Sequence, residues 1–144
     1  MINKIFVVLT IFTILLCTTG FAQKTSHFYD VDKEIKFTGT IQRILMESRY
    51  EEKAHFLILI VFDKKSGKTY TVEVSPVWFF SQDFHAGETL RLTGSSFTEG
   101  GVHHMIARQI QFKGKRLELR DKHGFPNWRG GQKKKQGIKK RKKF

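Results

Sequence analysis

From Ile35 the chain alternates apolar and polar positions with a period of two. Ile35, Phe37, Gly39 and Ile41 fall on one face, and Lys36, Thr38, Thr40 and Gln42 on the other. That is the pattern of a half-buried strand, and it runs on to Met46. Glu47–Ala54 is charged and reads as a loop. His55–Phe62 is an unbroken apolar run rich in β-branched residues, suited to a central strand buried on both faces. The turn Asp63–Gly67 precedes Thr69–Val74, where Tyr70, Val72 and Val74 share the core face.

Pro76 is expected to end that ladder. The short aromatic stretch Val77–Phe84 predicts one or two helical turns, with Pro76 near the first. Ala86-Gly87-Glu88 is a turn. Thr89–Gly94 alternates again with Leu90 and Leu92 inward, and Ser95–Gly101 reads as a small polar loop. Val102–Phe112 is the last long strand, with Ile106, Ile110 and Phe112 in phase. Met105 and Ala107 fall out of phase, which predicts a bulge nearby. Lys113-Gly114 then leads into a short extended piece, Arg116–Leu119. Five strands with a helical insert between the third and fourth predict an all-β fold. The order is that of a five-stranded OB-fold-like Greek-key barrel, here spanning residues 34–128.

The N-terminus changes where such a barrel would work. Lys4, the apolar run Ile5–Leu16 and the polar stretch ending Gly20-Phe21-Ala22 have the layout of a secretory signal peptide over residues 1–22, cut before Gln23. The run is shorter than the roughly 20 apolar residues a spanning helix needs. A retained N-terminal anchor and a lipoprotein cut before Cys17 are the alternatives. Residues 23–33 form a polar leader. The single cysteine, Cys17, lies in the signal peptide, so the mature chain has no disulfide, thiolate nucleophile or cysteine metal site. These features predict a periplasmic or extracellular protein.

Charge divides the chain again. The formal net charge of +13 is concentrated at the C-terminus: residues 129–144 hold nine of the 26 Lys and Arg and no acid. Residues 23–128 hold 16 basic residues against all 13 acids. The barrel is nearly balanced, and residues 129–144 are expected to be a disordered polybasic tail.

Several stretches together carry a resemblance. Phe37-Thr-Gly-Thr-Ile41, Val74-Ser-Pro-Val-Trp78, Gly87-Glu-Thr-Leu-Arg-Leu-Thr-Gly94 and Ile106-Ala-Arg-Gln-Ile110 lead to a closing Leu119-Arg-Asp-Lys-His-Gly-Phe-Pro-Asn-Trp128. Over roughly 34–130 the chain resembles small exported bacterial OB-fold proteins of uncharacterised function. Among these it is similar to a subgroup ending Leu-Arg-Asp-x-x-Gly-x-Pro-x-Trp. The resemblance implies a fold and a location but no activity, and the lysine-rich tail departs from it.

The candidate chemistry is that of binding. Leu119–Trp128 reads as a C-terminal clasp in which Gly124 permits a turn, Pro126 restricts it and Trp128 lays an apolar face on the barrel. Alternatively, Arg120 and Trp128 line a ligand site. Arg49 and Tyr50, between the first two strands, and Phe97, between the fourth and fifth, lie where OB-folds contact ligands. Pro76–Phe80 reads as a plug of the barrel end, with an aromatic platform as the alternative. His103 and His104 are neighbours in a strand and point to opposite faces, so they cannot chelate one ion from a regular strand. No metal or cofactor is expected. The carboxylates Glu47, Glu51, Glu52, Glu73 and Glu118 show no spacing for acid–base work, and no nucleophile motif or phosphate loop is present.

The leading expectation is an exported, non-enzymatic binding module. Its tail residues Lys133, Lys134, Lys135, Lys139, Lys140, Arg141, Lys142 and Lys143 would hold an anionic polymer or membrane surface. One alternative is binding of single-stranded nucleic acid by the barrel face. Another is a metal- or cofactor-handling accessory protein of the cell envelope.

Overall fold

A computed structural model of the chain describes residues 28–50, 54–79 and 82–129. The strands are β1 (Glu34–Arg49), β2 (Ala54–Asp63), β3 (Lys68–Pro76), β4 (Thr89–Glu99), β5 (Val102–Phe112) and β6 (Lys115–Glu118). They pair in the order β3-β2-β1-β4-β5-β6, and an additional pairing of β3 with β5 closes the first five into a barrel. This is the all-β, OB-fold-like barrel that the alternation predicts.

β1 is long because it serves two partners. Its first half pairs with β4 from Glu34 opposite Ser95 to Thr40 opposite Thr89, and its second half pairs with β2 from Thr40 to Arg49. An irregularity between Ile41 and Arg43 marks the bend. Gly39 sits at this corner, where a Cβ would stand 2.8 Å from the Phe62 carbonyl oxygen. Only glycine allows the two strands to approach so closely. A further bulge lies between Thr93 and Gly94 of β4, where Arg108 of β5 has no opposite residue, close to where the lost phase of Met105 and Ala107 places it. Among the described residues, the only parallel pairing joins Tyr70–Glu73 of β3 to His103–Ile106 of β5.

The enclosed faces of these strands supply the core. Ile41, Leu59, Val61, Val72, Val74, Leu90, Leu92, Met105 and Ile110 are essentially inaccessible to water. Their burial is the main favourable contribution to the fold.

Three sequence expectations need correction. Ser95–Glu99 is not a loop: it continues β4, pairing from Ser95 with Ile106 to Glu99 with Val102, because a long-range partner outweighs weak local propensity. Pro76 does not stop the ladder before it, but pairs with Phe56 as the last residue of β3. No α-helix lies between β3 and β4 among the described residues. The Val77 N–H donates to the His55 carbonyl, and a single turn is closed by the Phe79 N–H on the Pro76 carbonyl. Tying Val77 to β2 keeps the backbone from entering a helix there.

After β6 the chain folds back on the barrel. The Leu119 and Arg120 N–H groups both donate to the Arg108 carbonyl, at 2.8 and 3.1 Å, and the Asn127 N–H donates to the Leu119 carbonyl at 3.0 Å. Asp121 accepts from the His123 and Phe125 N–H groups through one carboxylate oxygen. Gly124, at φ 88°, lies under the Tyr29 ring, where any Cβ would overlap it. The signal-peptide and tail expectations, residues 1–22 and 130–144, lie outside the described residues.

Candidate functional site

β1, β3 and the returning C-terminal segment meet at one end of the barrel, and the side chains they bring there converge on Glu73. Arg49 is the last residue of β1. Tyr50 follows at φ 55°, a left-handed conformation that costs a tyrosine on the order of 1 kcal/mol. Its hydroxyl donates to Glu73 Oε1 at 2.8 Å and its ring lies 5.1 Å from that of Phe56, contacts that offset this strain.

Arg120 reaches Glu73 from the opposite side. One of its terminal nitrogens donates to Glu73 Oε1 at 3.1 Å. The other donates to the Val74 carbonyl of β3 at 3.4 Å and to the Ala107 carbonyl of β5. The parallel ladder of β3 and β5 ends at Glu73 and Ile106, so the guanidinium bridges the seam just beyond it. Its planar fork of donors suits three separate acceptors. Burial pulls the Arg120 pKa below the ordinary arginine value, and the Glu73 carboxylate opposes that effect.

Arg49 completes the group. One terminal nitrogen lies 3.8 Å from Glu73 Oε2, and another lies 2.9 Å from Glu47. Its Nε is buried and has no hydrogen-bond partner among the described residues. Burial, then the Glu73 charge, push the Tyr50 phenol well above its ordinary pKa. Tyr50 is therefore a neutral hydrogen-bond donor to Glu73.

A chain of rings covers this cluster. The Arg120 guanidinium lies 4.7 Å from the Trp128 ring centre. Trp128 meets Phe56 at 6.0 Å and Phe79 at 5.3 Å, and Phe79 meets Trp78 at 6.3 Å. Tyr50 is 50% exposed at one end of the chain and Trp78 is 43% exposed at the other, while Phe56 between them is buried. Phe79 therefore packs on the core and Trp78 is left partly open, while Phe80, the last residue of the expected plug, lies outside the described residues.

The structure thus brings together three of the four barrel residues singled out from sequence: Arg49, Tyr50 and Arg120. Phe97 is placed elsewhere. It lies within β4 rather than in a loop, stacked on His104 with ring centres 5.0 Å apart. His103 stands against Tyr70 and Thr98 on the other face. Among the described residues no group of three or more His, Cys, Asp or Glu could hold a metal ion, and no helix is long and apolar enough to cross a membrane. The polybasic residues 133–143 lie outside the described residues. Sequence reasoning missed Glu73, one acid among several. The available signal was its position between Val72 and Val74, in a strand whose outer face is then covered by the clasp.

No match to the sequence is found among curated proteins. A family model, that of the MamS/MamX magnetosome protein family, matches residues 33–117. That match takes in the whole barrel through most of β6 and stops short of the clasp. The chain belongs to the MamS/MamX magnetosome protein family.

Proposed function

We propose that this protein is an exported, non-enzymatic accessory binding module of the cell envelope. In this reading the polybasic tail attaches it to an anionic polymer or membrane surface. The barrel end around Arg49, Tyr50 and Trp78 is the surface left for a partner.

The partition of charge carries this reading. Several of the barrel's acids are engaged with its own bases: Glu34 with Arg108, Glu73 with Arg120 and Arg49, Glu88 with Lys113, and Glu118 with Arg116. Residues 129–144 hold nine cations and no acid to neutralise them. Unbalanced charge on one segment draws anionic surfaces from beyond contact range. The layout of residues 1–22 supports export, and the family's description as magnetosome proteins supports an accessory role at the envelope. Replacing Lys133, Lys134, Lys135, Lys139, Lys140, Arg141, Lys142 and Lys143 with Gln should abolish most binding to anionic vesicles. Undiminished binding would refute the tail's role.

The same family description favours a second reading, a metal- or cofactor-handling accessory protein. Its test is a titration of the full chain with divalent metal ions. A saturable rise in Tm at equimolar metal would move this reading ahead.

A further inference from the structure

At the barrel end where β2 turns into β3, a groove of about 570 Å³ runs between β1, β4 and that turn. Lys36, Thr38, Asp63, Lys65, Ser66 and Arg91 line it, and the Phe37 ring, stacked on Tyr70 at 4.6 Å, forms an apolar part of its wall. Most of the barrel's other cations are held by carboxylates, as the pairs above show. Lys36, Lys65 and Arg91 have no carboxylate within ion-pair distance among the described residues, and Lys64 and Lys68 stand on the same turn without one. Much of the barrel's positive charge without such a partner therefore lies around one concavity.

The turn is fixed before any ligand arrives. Asp63 accepts from the Lys65 N–H at 3.0 Å and from the Ser66 hydroxyl at 2.6 Å, and its carbonyl accepts from the Gly67 N–H at 2.8 Å. Asp63 is itself buried. Both its carboxylate oxygens are committed to the turn, and Asp63 lines the groove beside Lys65 and Ser66, its charge facing the Lys65 ammonium. Across from it, Arg91 Nε donates to the Thr38 hydroxyl at 3.5 Å. The terminal nitrogens of Arg91 and the Thr38 hydrogen are left to donate outward.

We propose that this groove is a binding site for a phosphate monoester. Three cations with a hydroxyl between them offer more donors than the two oxygens of a carboxylate can accept. A tetrahedral dianion accepts several charge-assisted bonds at once, and a guanidinium matches two of its oxygens. The apolar wall at Phe37 leaves room for the carbon skeleton next to the phosphate. The site is on the barrel body, at residues distinct from the tail, and stands whether or not the tail attaches to a surface.

The test is a titration of the full chain with inorganic phosphate and with a sugar phosphate, followed residue by residue by NMR. Saturable shifts of the Lys36, Thr38, Lys65 and Arg91 amides are expected, with sugar phosphate binding the tighter. Lys65→Gln and Arg91→Gln should each weaken that binding about tenfold, as loss of a charge-assisted bond does. Lys115→Gln, on β6, should leave it unchanged. A vesicle arm containing phosphatidic acid separates a lipid headgroup from a soluble ester. A lipid source predicts weaker vesicle binding by Arg91→Gln, whereas a soluble source predicts an effect with sugar phosphate alone. Shifts confined to residues 129–144, or affinity unchanged in both groove variants, would overturn the proposal.

Discussion

The Arg120 guanidinium lies 3.1 Å from the Glu73 carboxylate, and both residues are more than 90% buried. Removing one partner would leave the other charge enclosed and uncompensated. Arg120→Ala should therefore cost about 3–5 kcal/mol of stability. The double replacement Arg120→Met with Glu73→Leu should recover part of that loss, since apolar groups of similar volume need no pairing. Denaturant midpoints measure both. An unchanged midpoint for Arg120→Ala would show that the seam between β3 and β5 does not depend on this pair.

Trp128 anchors the returning segment by packing against Phe56, Phe79 and the Arg120 guanidinium. Trp128→Ala should cost on the order of 3 kcal/mol, as large-to-small changes at packed sites do. Thermal unfolding gives the answer. An unaltered Tm would mean that the ring contributes to a partner surface and not to the fold.

Gly94 is opposite Ala107 at the β4–β5 bulge, and a Cβ there would lie 2.9 Å from Ala107 Cα and overlap the Ile106 carbonyl. Backbone atoms cannot move aside cheaply. Gly94→Ala should destabilise by about 1–3 kcal/mol, read from the same denaturant curves. Wild-type stability would show that the two strands can separate at the bulge.

Glu34 makes a two-pronged contact with Arg108, at 2.7 and 2.9 Å, and also accepts from the Tyr29 hydroxyl at 2.6 Å. The Arg108 bond, more than any other effect, holds the Glu34 carboxyl below its ordinary pKa of 4.5. The unfolded chain therefore takes up the proton first as pH falls. The stabilisation is fully present above pH 4.5 and is lost as pH falls through the lowered folded-state value. Glu34→Gln should flatten this acid limb of the stability profile while lowering stability at neutral pH. An acid limb of unaltered steepness would assign it to the other carboxylates.

Much of the barrel was legible because its strands alternate or run apolar, and the bounds of β5 follow directly from Val102–Phe112. What was not legible depended on distant partners. Ser95, Ser96 and Thr98 look like loop residues until β5 lies beside them. The aromatic stretch from Val77 suggests a helix until the Val77 N–H is committed to His55. For the site, the types and approximate places of Arg49, Tyr50 and Arg120 could be read from sequence. Their meeting point could not, since Glu73 lies 23 residues from Tyr50 and 47 from Arg120. Phe97 was misplaced for the same reason as the rest of β4.

In the proposed function, residues 129–144 attach the protein to anionic surfaces. The direct measurement is a titration against heparin or anionic vesicles at several salt concentrations. It compares the full chain with the form in which the eight basic residues of 133–143 are Gln. Each contact that releases a counterion should add close to one unit to the slope of log affinity against log salt. The neutralised form should lose most of the affinity and most of the slope. Equal affinity and equal slope in the two forms would place the anion site on the barrel, contradict the claim and favour the nucleic-acid reading.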